Sequence, residues 1–170
     1  MQFLQRCGAA PVACRISMGM VLVLALGGCV ASGVDEQTTG SIEAQTSAAY
    51  SASERECLER AIYFESNRSS EEGMVAVGTV VMNRVDSPEF PDTICSVVGQ
   101  KNQFAPGVLS RHMPREKVPD IVVAAEKVLA GHRHPKLDQA MFFHMAGLTF
   151  PYDNMHYQLV AGGNAFYEKR

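Results

Sequence analysis

Neither sign of charge prevails in this sequence. Of its 15 Lys and Arg and 18 Asp and Glu, residues 53–170 carry 13 and 15, because Arg6, Arg15, Asp35, Glu36 and Glu43 all precede them. A chain so balanced lays down no basic field of the kind that neutralises phosphates, so a nucleic acid is excluded as partner. Long hydrophobic runs are also lacking. The most apolar stretch, residues 16–26, is shorter than the roughly 20 residues a helix needs to cross a bilayer. Cysteine is sparse, with five residues and none of the repeated Cys/His spacing of a structural zinc site. The sequence contains no internal repeat.

What is present begins with a leader. Arg6 and Arg15 precede ISMGMVLVLAL, which has the length and polarity of the apolar part of a secretory signal. It runs into Leu26-Gly27-Gly28-Cys29, where small residues admit a signal peptidase and the next thiol can take a lipid. This resembles a bacterial lipobox. The resemblance implies a cleaved signal peptide at 1–28, lipidation of Cys29, and an acyl anchor in one membrane leaflet. With Val30 and Ala31 next and no Asp, it further implies the outer membrane, facing the periplasm. A plain signal peptide with an incidental Cys, or an uncleaved anchor, is the alternative.

Residues 29–52 then read as a tether, with Ser, Thr, Ala, Gly and Gln, three acids and no base. Such a coil reaches roughly 5 to 6 Å times the square root of its length. With Cys7 and Cys14 in the leader, only Cys57 and Cys95 remain for the folded part, 53–170. In an oxidising envelope these two pair, or they stay as buried thiols.

Within 53–170, capping boxes at Ser51-x-x-Glu54 and Ser53-x-x-Glu56 start a first helix that runs to about Ser66. Ser69-x-x-Glu72 starts a second. Its core, GMVAVGTVVMNRV at 73–85, is apolar on almost every side and is expected to be the central buried helix. A short helix from Asp92 or Thr93 to Val98 stops at Gly99, and another spans 118–130 before Gly131. AMFFHM at 140–145 reads as a strand. The remainder, rich in aromatics, Gly and Asn, reads as binding loops more than as regular structure.

One carboxylate is out of place. Leu58, Ala61, Ile62 and Glu65 fall at i, i+3, i+4 and i+7, so Glu65 occupies an apolar slot. Burial there disfavours the charged form and raises the pKa, the profile of a general acid in glycoside cleavage. Alternatively the helix turns Glu65 to solvent, or pairs it with Arg68. Glu71 and Glu72 need no such account, since the first turn of a capped helix favours acids. His132-x-His134 reads as a solvated turn in a basic loop rather than as a zinc site.

In order and spacing, Tyr63-Phe64-Glu65, Glu72-Gly73, Val81, Asn83-Arg84-Val85, Ile94-Cys95, Gln103-Phe104, AMFFH and AGGNAFY resemble the cell wall hydrolases of the spore-cortex-lytic type. The resemblance implies a mainly α, lysozyme-like fold with a few short strands, and peptidoglycan glycan strands as substrate. It implies neither cofactor nor metal. Glu65 becomes the catalytic acid, Ser66 an orienting residue, and Gln103, Phe104, His144, Tyr157 and Asn164 sugar contacts. Phe143, Tyr152 and Tyr167 have similar chemistry with less positional support. Departures fall at Ala105, where Ser is commoner, and at Asn164, where His is commoner. The rivals are an N-acetylmuramoyl-L-alanine amidase that a chelator would silence, a muramidase that activates water, and a non-catalytic peptidoglycan-binding lipoprotein.

Overall fold

A serine hydroxyl opens the first helix. Ser51 Oγ accepts the Glu54 N–H at 3.2 Å and caps α1, Ala52–Glu65. The structure is a computed structural model and describes residues 49–170, so the signal peptide, Cys29 and most of the tether lie outside the described residues. Ser70, rather than the expected Ser69, caps α2, Glu71–Val85, by accepting the Gly73 N–H. From Gly73 to Met82 every residue of α2 is buried. A helix wetted on no side is the centre of the core, as its all-round apolar sequence requires.

The shorter helices close over α2. Thr93 caps α3, Ile94–Val98, and Gly99 ends it. A 3-10 turn, Arg115–Lys117, leads into α4, Pro119–Leu129, which has proline at its start and buries Ile121, Ala124, Ala125, Val128 and Leu129. Side chains of α1 then fasten the loops. The Glu54 carboxylate accepts the N–H groups of Ile94 (2.7 Å) and Cys95 (3.3 Å), so one helix caps another. Beside it Cys57 and Cys95 form a disulfide, with Cα atoms 5.2 Å apart. Buried Arg60 donates to the carbonyls of Val108 (2.7 Å) and Arg111, and holds the 100–111 loop against α1. Buried Glu59 takes two bonds from Arg115, at 2.6 and 2.8 Å.

The C-terminal quarter corrects the sequence reading. It is not a set of loops. Strands β1 (Phe142–Met145), β2 (Met155–Ala161) and β3 (Asn164–Lys169) form an antiparallel sheet in the order β1-β3-β2. Phe142 pairs with Tyr167, and Ala161 with Asn164 across the β2–β3 turn. That turn is Gly162-Gly163, with φ of 56° and 78°, the double left-handed conformation of a tight hairpin. Between Tyr157 and Leu159 the register shifts, so Gln158 bulges and breaks the alternation by which β2 would be recognised.

The hairpin tip touches the helices backbone to backbone. A Cβ built on Gly73 would lie 2.5 Å from Gly162 Cα, and one on Gly162 would lie 2.8 Å from both Gly73 Cα and the Ser66 carbonyl oxygen. No rotamer relieves such an overlap, so the Gly73→Ala variant is expected to lose about 1–3 kcal/mol of stability, read as a lower urea midpoint. The disulfide closes a chain separation of 38 residues, so the Cys57→Ser, Cys95→Ser double variant is expected to lose about 4 kcal/mol. The same urea titration, run without reductant, measures it; an unchanged midpoint would contradict the expectation.

Candidate functional site

Glu65 is the last residue of α1, and the chain reverses at once through Asn67 and Arg68, whose φ values are 56° and 53°. The reversal leaves Glu65 on the wall of a cleft of about 430 Å³ between the helices and the sheet. Gln103, His144 and Asn164 line it too, from the 100–111 loop, β1 and β3. Two hydrogen bonds fix the acid. The Ala105 N–H donates to Glu65 Oε1 at 2.5 Å, and the Asn164 side-chain amide donates to the Glu65 main-chain carbonyl at 2.7 Å. Burial raises the Glu65 pKa, while the Ala105 N–H and the Arg84 charge pull it back in part. The result is a carboxyl that keeps its proton to higher pH than an ordinary glutamate and still has one main-chain donor and a positive charge ready for its anion.

Behind the acid lies a cation that the sequence reading did not single out. Arg84 of α2 is only 3% exposed, and its guanidinium sits over the rings of Phe90 (5.1 Å), Phe104 (5.4 Å) and Phe142 (5.8 Å). Nε donates to the Met141 carbonyl at 2.7 Å, whereas Nη1 has no protein acceptor. Burial pulls its pKa down to about 10, against the opposing charges of Tyr167 and Glu65. Burial likewise lifts the Tyr167 pKa, Tyr157 adds to that lift, and Arg84 opposes it. Its neighbour Asn83 donates to the carbonyls of Leu137 (2.8 Å) and Ala140 (2.9 Å). Together Asn83 and Arg84 anchor the approach to β1. An arginine at the end of a buried, mostly apolar helix is the signal from which it could have been found.

The family profile described as Cell Wall Hydrolase matches residues 68–167, more than half of the chain. The chain belongs to the cell wall hydrolase family. Glu65 lies three residues before the matched range. Among curated proteins, the spore cortex-lytic enzyme of Oceanobacillus iheyensis is 35% identical over 69 residues, which cover 41% of this chain and 25% of that protein. That of Halalkalibacterium halodurans is 37% identical over 57 residues, covering 34% and 17%. The chain thus spans a quarter or less of the length of these relatives. Two solved structures share the fold. They are the catalytic domain of the germination-specific lytic transglycosylase SleB of Bacillus anthracis (TM-score 0.58, 24% identity) and that of Bacillus cereus SleB (0.59, 23%). Each match covers 70% of this chain, with 97% and 92% of the solved domains. The mainly helical fold with a small sheet is the one these domains have.

Of the residues expected at the site of this cell wall hydrolase, Gln103, His144 and Asn164 share the cleft with Glu65. Tyr157 reaches it indirectly, as its hydroxyl is 2.8 Å from His144 Nε2. Phe104 and Ser66 require correction. The Phe104 ring is 8% exposed, packed between Arg84 and Phe143, because the loop turns its main chain to Glu65 and its side chain to the core. Ser66 is fully buried as the C-cap of α1, and its Oγ accepts the Arg68 N–H. Arg68 donates to the Tyr63 carbonyl and covers that ring, so it is occupied elsewhere than on Glu65.

Glu71 and Glu72 are exposed, as expected, on Lys127 and His134. His134, read from sequence as solvated, is instead buried, with its N–H on Thr79 Oγ1 at 2.9 Å. The Glu65 carboxyl, followed by ¹³C NMR, is expected to titrate above the ordinary glutamate range in the wild type. In Arg84→Met, which removes a nearby positive charge, it should move higher still. A fall on that substitution would contradict the electrostatic account.

Proposed function

We propose that the chain cleaves peptidoglycan glycan strands between N-acetylmuramic acid and N-acetylglucosamine as a lytic transglycosylase, with Glu65 as its single catalytic carboxyl. The observation that carries this reading is the state of Glu65: a partly desolvated acid held by a main-chain N–H on the wall of an open cleft of about 430 Å³. Among the cleft-lining residues it is the one carboxylate. A hydrolase that activates water usually needs a second, at a set separation.

The chemistry then balances on one group. Protonated Glu65 gives its proton to the glycosidic oxygen, the bond from that oxygen to the muramoyl anomeric carbon breaks, and the electron pair leaves with the N-acetylglucosamine. The Glu65 carboxylate, stabilised by the Ala105 N–H and by the Arg84 charge, takes the proton of the muramoyl 6-hydroxyl as that oxygen attacks the anomeric carbon. A 1,6-anhydro ring closes and Glu65 is protonated again. No water is consumed. Gln103, His144 (oriented by Tyr157) and Asn164 supply sugar contacts in this reading, and Ser66 and Phe104 act through the main chain around Glu65.

The leader-like N-terminal sequence supports an envelope location for this activity. A signal peptide at 1–28, lipid on Cys29 and the polar tether to residue 52 give a domain held at the outer membrane, facing the periplasm, with reach toward the wall. Purified sacculi digested by the wild type are expected to release anhydromuropeptides detectable by mass spectrometry. Glu65→Gln is expected to release less than a hundredth as much, within the range that loss of a general acid imposes. Full activity of Glu65→Gln would sink the assignment.

A further inference from the structure

The sheet carries apolar surface that the core does not use. Met145, Leu148, Phe150, Tyr152 and Tyr157 are all among the exposed large hydrophobic residues, and all fall within one stretch of the chain around the β1–β2 connection. Scattered singly they would need no explanation, but the three aromatic ones are connected ring to ring through His144. His144, on the cleft wall, meets the Phe150 ring edge-on with centroids 4.7 Å apart. The Phe150 and Tyr152 rings lie within 9° of parallel, 6.3 Å apart, and Tyr152 is 65% exposed. Pro151 between them limits the backbone. The series therefore begins in the cleft and ends in open solvent.

We propose that Phe150 and Tyr152 form a stacking platform for sugar units of the glycan strand beyond those that the cleft holds. The inference rests on the functional reading above and extends its substrate site outward. Three observations favour this occupant. The platform is continuous with the cleft through His144, so a polymer leaving the cleft on that side runs onto it. Its rings are braced against one another and leave aromatic surface exposed, the kind of surface that the apolar C–H face of a pyranose packs on. From His144 to Tyr157 the sequence holds no Lys or Arg and a single acid, Asp153. That composition suits a neutral polyhydroxylated chain and not an anionic lipid surface, which would call for basic residues.

The test uses the full chain and separates binding from cleavage. In the Glu65→Gln background, Phe150→Ala, Tyr152→Ala is expected to weaken co-sedimentation with purified sacculi roughly tenfold, with the Glu65→Gln parent as reference. In the active protein the same pair is expected to lower kcat/KM on sacculi about ten times more than on a tetrasaccharide of the repeating disaccharide. Equal sedimentation of parent and variant overturns the platform, and so does an equal loss on both substrates, which would mean that the cleft itself was disturbed. Loss of binding to phosphatidylglycerol vesicles with sacculus binding intact overturns it in favour of a membrane contact. If the active chain cleaves neither substrate, the catalytic reading fails, and sedimentation still decides the platform.

Discussion

The site depends on a place where two backbones touch without side chains between them. Gly73, in the first turn of α2, and Gly162, at the tip of the β2–β3 hairpin, approach so closely that a single methyl on either would overlap the other's main chain. This contact brings the sheet against the junction of α1 and α2. From that position Asn164 reaches the Glu65 carbonyl, and β1 and β3 become the far wall of the cleft. Interiors pack too tightly for so close an approach to be shifted locally. The geometry of the acid is therefore set by a contact that has no part in the chemistry.

A second constraint is electrostatic. Burial alone would keep Glu65 protonated but leave the anion formed when it gives up that proton uncompensated, whereas full solvation would leave it ionised at neutral pH, with no proton to give. The chain settles the matter by burying a cation as well. Arg84 is held among three aromatic rings, with one nitrogen lacking a protein acceptor, so its charge is spent less on a direct partner than on the field around it. One of those rings is Phe104, and the next residue supplies the N–H that holds Glu65 Oε1. The same arginine thus supports the loop that grips the acid and the charge that stabilises its anion.

The four α-helices of the described residues were largely readable, because their signals are local: serine and threonine caps, a proline start, a glycine stop, and in α2 an apolar surface on all sides. Only the cap of α2 was misplaced, by one serine. The sheet was not readable beyond β1. Its turn is two glycines in a stretch already rich in Gly and Asn, and the bulge at Gln158 hides the alternation of β2.

At the site, periodicity found Glu65 because an acid in an apolar slot is a side-chain anomaly. Its partner at Ala105 is a main-chain N–H, and no residue type announces that. Phe104 shows the limit from the other direction. Its motif placed the loop at the site, but motif alone does not say which way a ring turns. Arg60 and Glu59, both buried on α1 and both satisfied through distant loops, are legible only once those loops are in place.

The central claim is that one carboxyl does the work of acid and base and that a sugar hydroxyl, not water, closes the reaction. Digestion of purified sacculi in heavy-oxygen water, with mass spectrometry of the new muramoyl termini, tests it most directly. The account predicts anhydro termini with no heavy oxygen incorporated. Reducing termini that carry the heavy isotope would contradict it.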